Sequence, residues 1–348
     1  MAAVEALHGA AVLQSRLCAE NGSPTWAAII DALDARLDDP GDPTVRLLLQ
    51  DEQDPIASAV LLRLLGAVHR ILLDSQPHEL ARCIPTIGGS VDPQRAAVLF
   101  FPFVALNEES LQEQMQFPVQ TNEVGRSGIL SAGLRWIAAE IDLPINLLEA
   151  GASAGLNLHL DQYRVHMGDE VWGSEASLVV LKDNLRSGRP QGSEFTILER
   201  AGCDLTPIDA SSAEGQLRLR SFIWPEDTDR MARLNSALAM FTPVDIDAGP
   251  ASTWLRARFG RHRPGTVTVI MHSVVMPYLT AAERQDFENA IAQAGATATV
   301  DAPVAWLRLE PSDEWGEVTL EVDMWPGGRH ELLATCTPHG ALINWLVQ

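Results

Sequence analysis

The sequence predicts an α/β protein: an all-helical N-terminal region followed by a mostly parallel sheet that ends in an antiparallel hairpin. Three observations carry this prediction. Apolar residues recur at three- and four-residue spacing through the first 140 positions. After Pro144 the spacing changes, and short apolar runs alternate with helical stretches, the pattern of strands joined by crossover helices. The last two such runs flank Pro326-Gly327-Gly328, which marks a hairpin turn.

The helical region comes first. Ser23-Pro24, Asp54-Pro55 and Asp92-Pro93 each set a capping residue before a proline at the first helical position. Trp26, Ile29, Ile30, Leu33 and Leu37 then fall on one face. Asp39-Pro40-Gly41-Asp42-Pro43 is a turn between two such helices. The most apolar run, 59–73, carries Arg63, His69 and Arg70, so it reads as a buried helix and not a membrane span. A further helix spans about 126–141 and stops ahead of Pro144, because the residue before a proline resists the helical region. The chain thus divides into a helical cap over residues 1–125 and an α/β domain over 126–348.

The sheet follows. Residues 145–150 form a short strand, 151–155 a glycine-rich turn and 156–163 a helix. Gly168-Asp169, Trp172-Gly173 and Ser187-Gly188-Arg189-Pro190 break the pattern, which predicts a hairpin-like insertion near 166–195. Residues 195–199 and 217–224 are predicted strands, the second from its Leu-Arg-Leu-Arg alternation. Residues 225–241 are helical. A buried strand over 266–271 leads to a helix over 281–294 that stops at Gly295. A strand over 304–309, an alternating edge strand over 318–325 and its hairpin partner over 330–335 complete the sheet.

Composition narrows the function. The 348 residues hold 25 Lys+Arg against 46 Asp+Glu, a formal charge of −21, and 46% are hydrophobic. That apolar share builds a core and excludes a disordered polymer. The acidic balance excludes a generic nucleic-acid binder and electrostatic docking on membranes, since both need clustered Lys and Arg. Lys182 is the only lysine, so there is no Walker A loop. Schiff-base chemistry has that single candidate, in a polar Lys182-Asp183-Asn184 stretch that reads as exposed. Cys18, Cys83, Cys203 and Cys336 lack metal-ligand spacing and read as inert thiols, with no metal expected. The first residues lack a basic stretch followed by an apolar core, so the expected location is cytoplasmic.

Glu149-Ala150-Gly151-Ala152-Ser153-Ala154-Gly155 carries most of the chemical information. It lies between a strand and a helix, where open parallel sheets bind ligands. Gly-x-Ser-x-Gly is the pattern of a nucleophile elbow, which would make Ser153 the nucleophile of a serine hydrolase. Asp301 or Asp323 and His330 or His339 then follow in the order hydrolases use. That fold needs several strands and an oxyanion loop ahead of the serine, where this chain is helical. The second chemistry is a nucleotide-type cofactor loop. Gly151 and Gly155 let the backbone approach a ligand closely, and N–H groups opening the next helix face a carboxylate or phosphate. Glu149 suits a cationic or amine-bearing ligand.

The segment resembles the E/D-x-G-x-G-x-G loop of class I S-adenosylmethionine-dependent methyltransferases, with Ser153 in place of the middle glycine. The resemblance implies a Rossmann-like methyltransferase sheet, S-adenosylmethionine as cofactor, and Glu149 near the methionine amino group of that cofactor. Residues 267–284 resemble the fourth strand and following loop of such enzymes, and 304–335 their fifth to seventh strands. The likeness covers roughly residues 120–348. Nearly the whole chain also resembles a bacterial family of unknown function. Gln120-Thr121-Asn122-Glu123-Val124-Gly125-Arg126-Ser127, the stretch from Leu148 through Asn157, Trp224-Pro225 and Trp306-Leu307-Arg308-Leu309-Glu310 carry that resemblance.

The methyltransferase resemblance assigns further roles. An acidic residue ending the second strand meets the ribose hydroxyls, since a carboxylate accepts two hydrogen bonds. Asp204, Glu226 and Asp227 are the candidates. Asp247 marks the end of the third strand, where adenine is read; an ordinary loop aspartate is the alternative for each. Asn157 is a cofactor contact or an exposed polar residue. His272 is a candidate base for a substrate hydroxyl or amine, or a satisfied structural histidine, and Tyr278 is expected to line the same cleft. Asn122, Glu123 and Arg126 form either a helix cap with a surface ion pair or, through Arg126, a bidentate partner for the cofactor carboxylate. The expected function is methyl transfer to a small molecule, with no nucleic-acid or membrane partner. Hydrolysis at Ser153 and a non-catalytic cofactor-fold binding module are the alternatives.

Overall fold

The computed structural model describes residues 2–51, 53–74, 78–182, 185–258, 263–312 and 316–347. Its helices are α1 (Ala2–Glu20), α2 (Pro24–Asp34), α3 (Pro43–Leu49), α4 (Val60–Asp74), α5 (Pro93–Leu106), α6 (Glu108–Gln114), α7 (Ser127–Glu140), α8 (Ala213–Ser221), α9 (Thr228–Met240), α10 (Ala251–Arg258) and α11 (Ala281–Thr297). The chain forms two compact units, one of Met1–Thr121 with Ser212–Ala232 and one of Asn122–Ser211 with Arg233–Gln348.

The first unit is helical, around a core that includes Trp26, Ile29, Ile30, Leu33, Leu64, Val68 and Phe100. Its helix starts follow from proline chemistry. Asp42 accepts the Thr44 N–H and Asp92 the Arg95 N–H, each directly before a proline that opens its helix. Asp54 does otherwise: it accepts the N–H groups of Ile56 and Ala57 in a turn, and the apolar helix begins only at Val60.

The segment 212–232 belongs to this helical unit and corrects a sequence expectation. The predicted strand over 217–224 is α8 with its following turn, opened by Ser212, whose Oγ accepts the Gly215 N–H. Partners distant in sequence hold it there. The Ser221 carbonyl meets His69 Nδ1 at 3.1 Å, Arg70 pairs with Glu214, and Pro225 O accepts the Thr86 N–H at 3.0 Å. Gly66 is required because a Cβ there would stand 2.5 Å from the Phe222 ring.

The second unit is built on a nine-stranded sheet in the order β5-β12-β11-β10-β9-β8-β1-β6-β7. Its strands are β1 (Ile145–Ala150), β5 (Leu185–Ser187), β6 (Ile197–Asp204), β7 (Ile246–Ala248), β8 (Val267–Ser273), β9 (Val304–Pro311), β10 (Val318–Trp325), β11 (Arg329–Cys336) and β12 (Ile343–Trp345). Pairing is parallel from β7 through β6, β1 and β8 to β9, then antiparallel through β10, β11 and β12. The insertion supplies a small sheet of β2 (Arg164–Met167), β3 (Glu170–Trp172) and β4 (Val180–Leu181), and lends β5 to the far edge of the main sheet.

Successive strand residues face opposite sides, so β9 places Val304 and Trp306 among α10 and α11 side chains, including Leu255 and Phe287. Its Leu307 points the other way, against Gly133 of α7. Two expectations change here. The strand 318–325 is interior, between β9 and β11, and not an edge. Gly295 does not stop its helix, which runs to Thr297; it lies beneath Trp325, whose ring would be 2.5 Å from a Cβ.

All four cysteines are buried. Lys182 is exposed, and Asp183 and Asn184 lie outside the described residues. No helix among the described residues is long and apolar enough to cross a membrane.

Candidate functional site

The connections after β1 run to β6 and β7 on one side, while β8 and β9 fill the other side. The chain therefore changes direction between β1 and β8, and their carboxyl ends frame the crevice where such sheets hold ligands. Glu149 occupies that end of β1, opposite Gly202 of β6 and Met271 of β8.

The turn after β1 is wedged between its neighbours. Gly151, Ser153 and Gly155 adopt φ of +69°, +53° and +78°, the left-handed region that glycine tolerates and serine seldom enters. A Cβ on Gly151 would lie 2.5 Å from Val275 Cγ2, and one on Gly155 2.8 Å from both Val244 and Ile246. From β6, Gly202 comes close enough that a Cβ would stand 2.6 Å from that of Ala152.

Four N–H groups of this turn and the start of the next helix are engaged inside the protein. Ala152 N bonds Cys203 O at 2.9 Å, Gly155 N bonds Ala152 O at 2.7 Å, Ser153 N bonds Asp204 Oδ2 at 2.9 Å and Leu156 N bonds Asn122 Oδ1 at 2.9 Å. The helix that follows is a 3-10 turn over Leu156–Gln162. Two of the N–H groups expected to face a carboxylate or phosphate, those of Ser153 and Leu156, are thus capped by side chains of the protein. Asn122 caps the helix, and Asp204, whose Oδ1 accepts the Thr206 N–H at 2.9 Å, braces the turn.

What the turn presents instead is acid. Glu149 is 2% exposed, and its Oε2 has no hydrogen-bond partner. The Asn157 amide beside its carboxyl group favours the ionised form, and Asn157 Oδ1 accepts from Ser127 Oγ at 2.7 Å. Asn157 is therefore buried and oriented, not exposed. Burial, then the charge of Asp204, pushes the Glu149 carboxyl up to about 8, against the opposing influence of Asn157 and Arg126. Ser153 Oγ is likewise buried without a partner. No base is hydrogen-bonded to it, the arrangement an activated nucleophile needs.

Other predicted residues take up structural work. Arg126 donates through Nε to Pro338 O at 2.8 Å and through Nη1 to Ser273 O at 3.2 Å, tying the segment before α7 to the end of β8. Glu123 is buried, accepts the Gly125 N–H at 2.8 Å, and has Arg233 at 3.7 Å and His339 at 3.5 Å. Its carboxylate is buried, while Arg233 and His339 are partly exposed. Asp247 is exposed and accepts from Trp254 Nε1 and Arg258 Nη2, both at 2.7 Å, which commits it to α10. Glu226 is in the helical unit, where it accepts from Ser23 Oγ at 2.7 Å and the Thr25 N–H at 2.9 Å at the start of α2. Tyr278 is 78% exposed.

His272 is corrected from base to strut. It is fully buried, with Nδ1 2.6 Å from Glu310 Oε1 and Nε2 accepting from Trp306 Nε1 at 2.9 Å. Indole only donates, so these contacts assign the proton to Nδ1, and neither nitrogen is left for a substrate. Glu310 also accepts the N–H groups of Val275 at 2.8 Å and Met276 at 3.2 Å, which fixes the loop that presses Val275 on Gly151. Glu310 and Trp306 received no role from the sequence. The signal was the Trp306–Glu310 stretch itself, a carboxylate ending a buried strand.

Compared with known proteins, residues 10–345 match the family described as an uncharacterized protein conserved in bacteria (DUF2332). No curated protein and no solved structure matches the chain.

Proposed function

We propose, for a chain that belongs to this bacterial family, that the crevice between β1 and β8 binds S-adenosylmethionine and that the protein transfers its methyl group to a small molecule. The observation that carries this reading is Glu149, a buried carboxyl group with an unpartnered oxygen at the end of β1. A buried polar atom without a partner costs about 1–3 kcal/mol, and an amine-bearing ligand relieves that cost. The residues present fit such a cofactor. Glu149 would hold the amino group, and Asp204 ends the adjacent strand with a second carboxylate.

Bound, the cofactor supplies an electrophilic methyl group on a sulfonium. The chain's own part is to bind and align. With both His272 nitrogens engaged, no histidine base is offered at the end of β8, and the rate advantage rests on proximity and orientation. Asn157 and Ser127 orient Glu149, and Glu310 holds the loop beside the turn.

Thermal-shift titration with S-adenosylmethionine and S-adenosylhomocysteine tests the reading. A ligand at 100 times its Kd stabilises by about 2.7 kcal/mol, enough to raise Tm by several degrees. No shift at millimolar concentrations of either would defeat the assignment.

A further inference from the structure

We propose that Glu149 carries a proton in the unliganded protein and releases it to solvent when a ligand ammonium group takes its place, so that cofactor uptake is coupled to pH. The proposal rests on the cofactor reading above and deepens it.

The geometry leaves little alternative for an empty site. A carboxylate 2% exposed, with one oxygen lacking any donor, is costly to keep ionised in a medium of low polarity. Every element around it bears on the same choice. From β6, Asp204 adds a like charge, and Cys203 is a buried thiol pushed up to about 12 that brings no charge. From the 3-10 turn, the neutral Asn157 amide favours the ionised form, and Tyr163, buried and raised above its usual range, stays a phenol. From β8 the neighbour is Met271. Arg126, like Asn157, opposes protonation, and its guanidinium donates to Pro338 O and Ser273 O. The carboxyl group stands up at about 8 as a result.

A ligand ammonium changes the balance. It supplies the donor that Oε2 lacks and a positive charge against the carboxylate. The step balances simply: the O–H bond of Glu149 breaks, the proton goes to buffer, and one cation replaces another beside the same oxygen. The buried charge of the site stays constant, which favours ligands carrying a protonated amine over neutral ones of the same shape.

Isothermal titration calorimetry of the full chain with S-adenosylhomocysteine, in two buffers of different ionisation enthalpy, counts the protons. The expected result is about one proton released per ligand near neutral pH, with affinity rising by up to about tenfold per pH unit below the raised carboxyl value. 5′-Methylthioadenosine, which lacks the amino-acid end, should bind with no proton release. Glu149→Gln, which keeps shape and fold, should abolish the release and flatten the pH dependence for S-adenosylhomocysteine. Binding of S-adenosylhomocysteine without proton release overturns the proposal and leaves the cofactor reading standing. Proton release with 5′-methylthioadenosine, or from Glu149→Gln, also overturns it. No binding of either compound defeats the cofactor reading and the coupling together.

Discussion

His272 Nδ1 and Glu310 Oε1 lie 2.6 Å apart, joining β8 to β9 inside the sheet. The same carboxyl group accepts two backbone N–H groups from the loop after β8, and Trp306 closes the other side of the imidazole. Glu310→Ala deprives these donors of their acceptor. We expect a loss of about 2–4 kcal/mol in urea unfolding, with a smaller loss for Glu310→Gln, which retains one acceptor. A Glu310→Ala protein within about 0.5 kcal/mol of wild type would show that the pair does not hold the loop.

Glu149 gives the fold a pH dependence of definite sign. Its folded value, about 8, lies above the ordinary value of 4.5, so between those limits the native state holds more protons than the unfolded chain. Its stabilising contribution is complete below the ordinary carboxylate value and is lost as pH rises through about 8. Glu149→Gln removes this dependence. The Tm of the variant should therefore gain on wild type as pH is raised from about 5 to about 8.5, in melts followed by circular dichroism. A difference in Tm that is flat across that range contradicts the assignment.

Glu226 belongs to a different task. Glu226→Ala deprives Ser23 Oγ and the Thr25 N–H of their acceptor at the start of α2. A loss of about 1–3 kcal/mol in chemical unfolding is expected. S-adenosylhomocysteine affinity should be unchanged, and a tenfold weakening would return Glu226 to the list of ribose contacts.

Where local chemistry alone decides a structure, the sequence was legible. The strand Ile145–Ala150 and the turn behind it follow from a run of apolar residues ended by glycines. Alternation was the weaker guide. Leu217-Arg218-Leu219-Arg220 has period two for four residues, too few to outweigh partners from the first 121 positions, and it folds as α8. In β10 the alternation is real, yet it reports one better-buried face and not an edge. At the site, the place of Glu149 near the end of β1, just ahead of a glycine turn, was readable from the apolar run and the glycines that end it. His272 was not, since Glu310 stands 38 residues away and only the β8–β9 pairing brings the two together.

The two-part helical unit has a consequence for how the chain is made. Its first 121 residues are synthesised long before Glu226, Ser221 and Phe222 exist to complete it. About 90 residues of the other unit are translated in between, a delay of roughly 5–20 s at bacterial elongation rates. During that interval the open end of α2 and the seat of Phe222 at Gly66 wait on the nascent chain, so a ribosome stalled between residues 121 and 212 holds the first part of the helical unit without the segment that completes it.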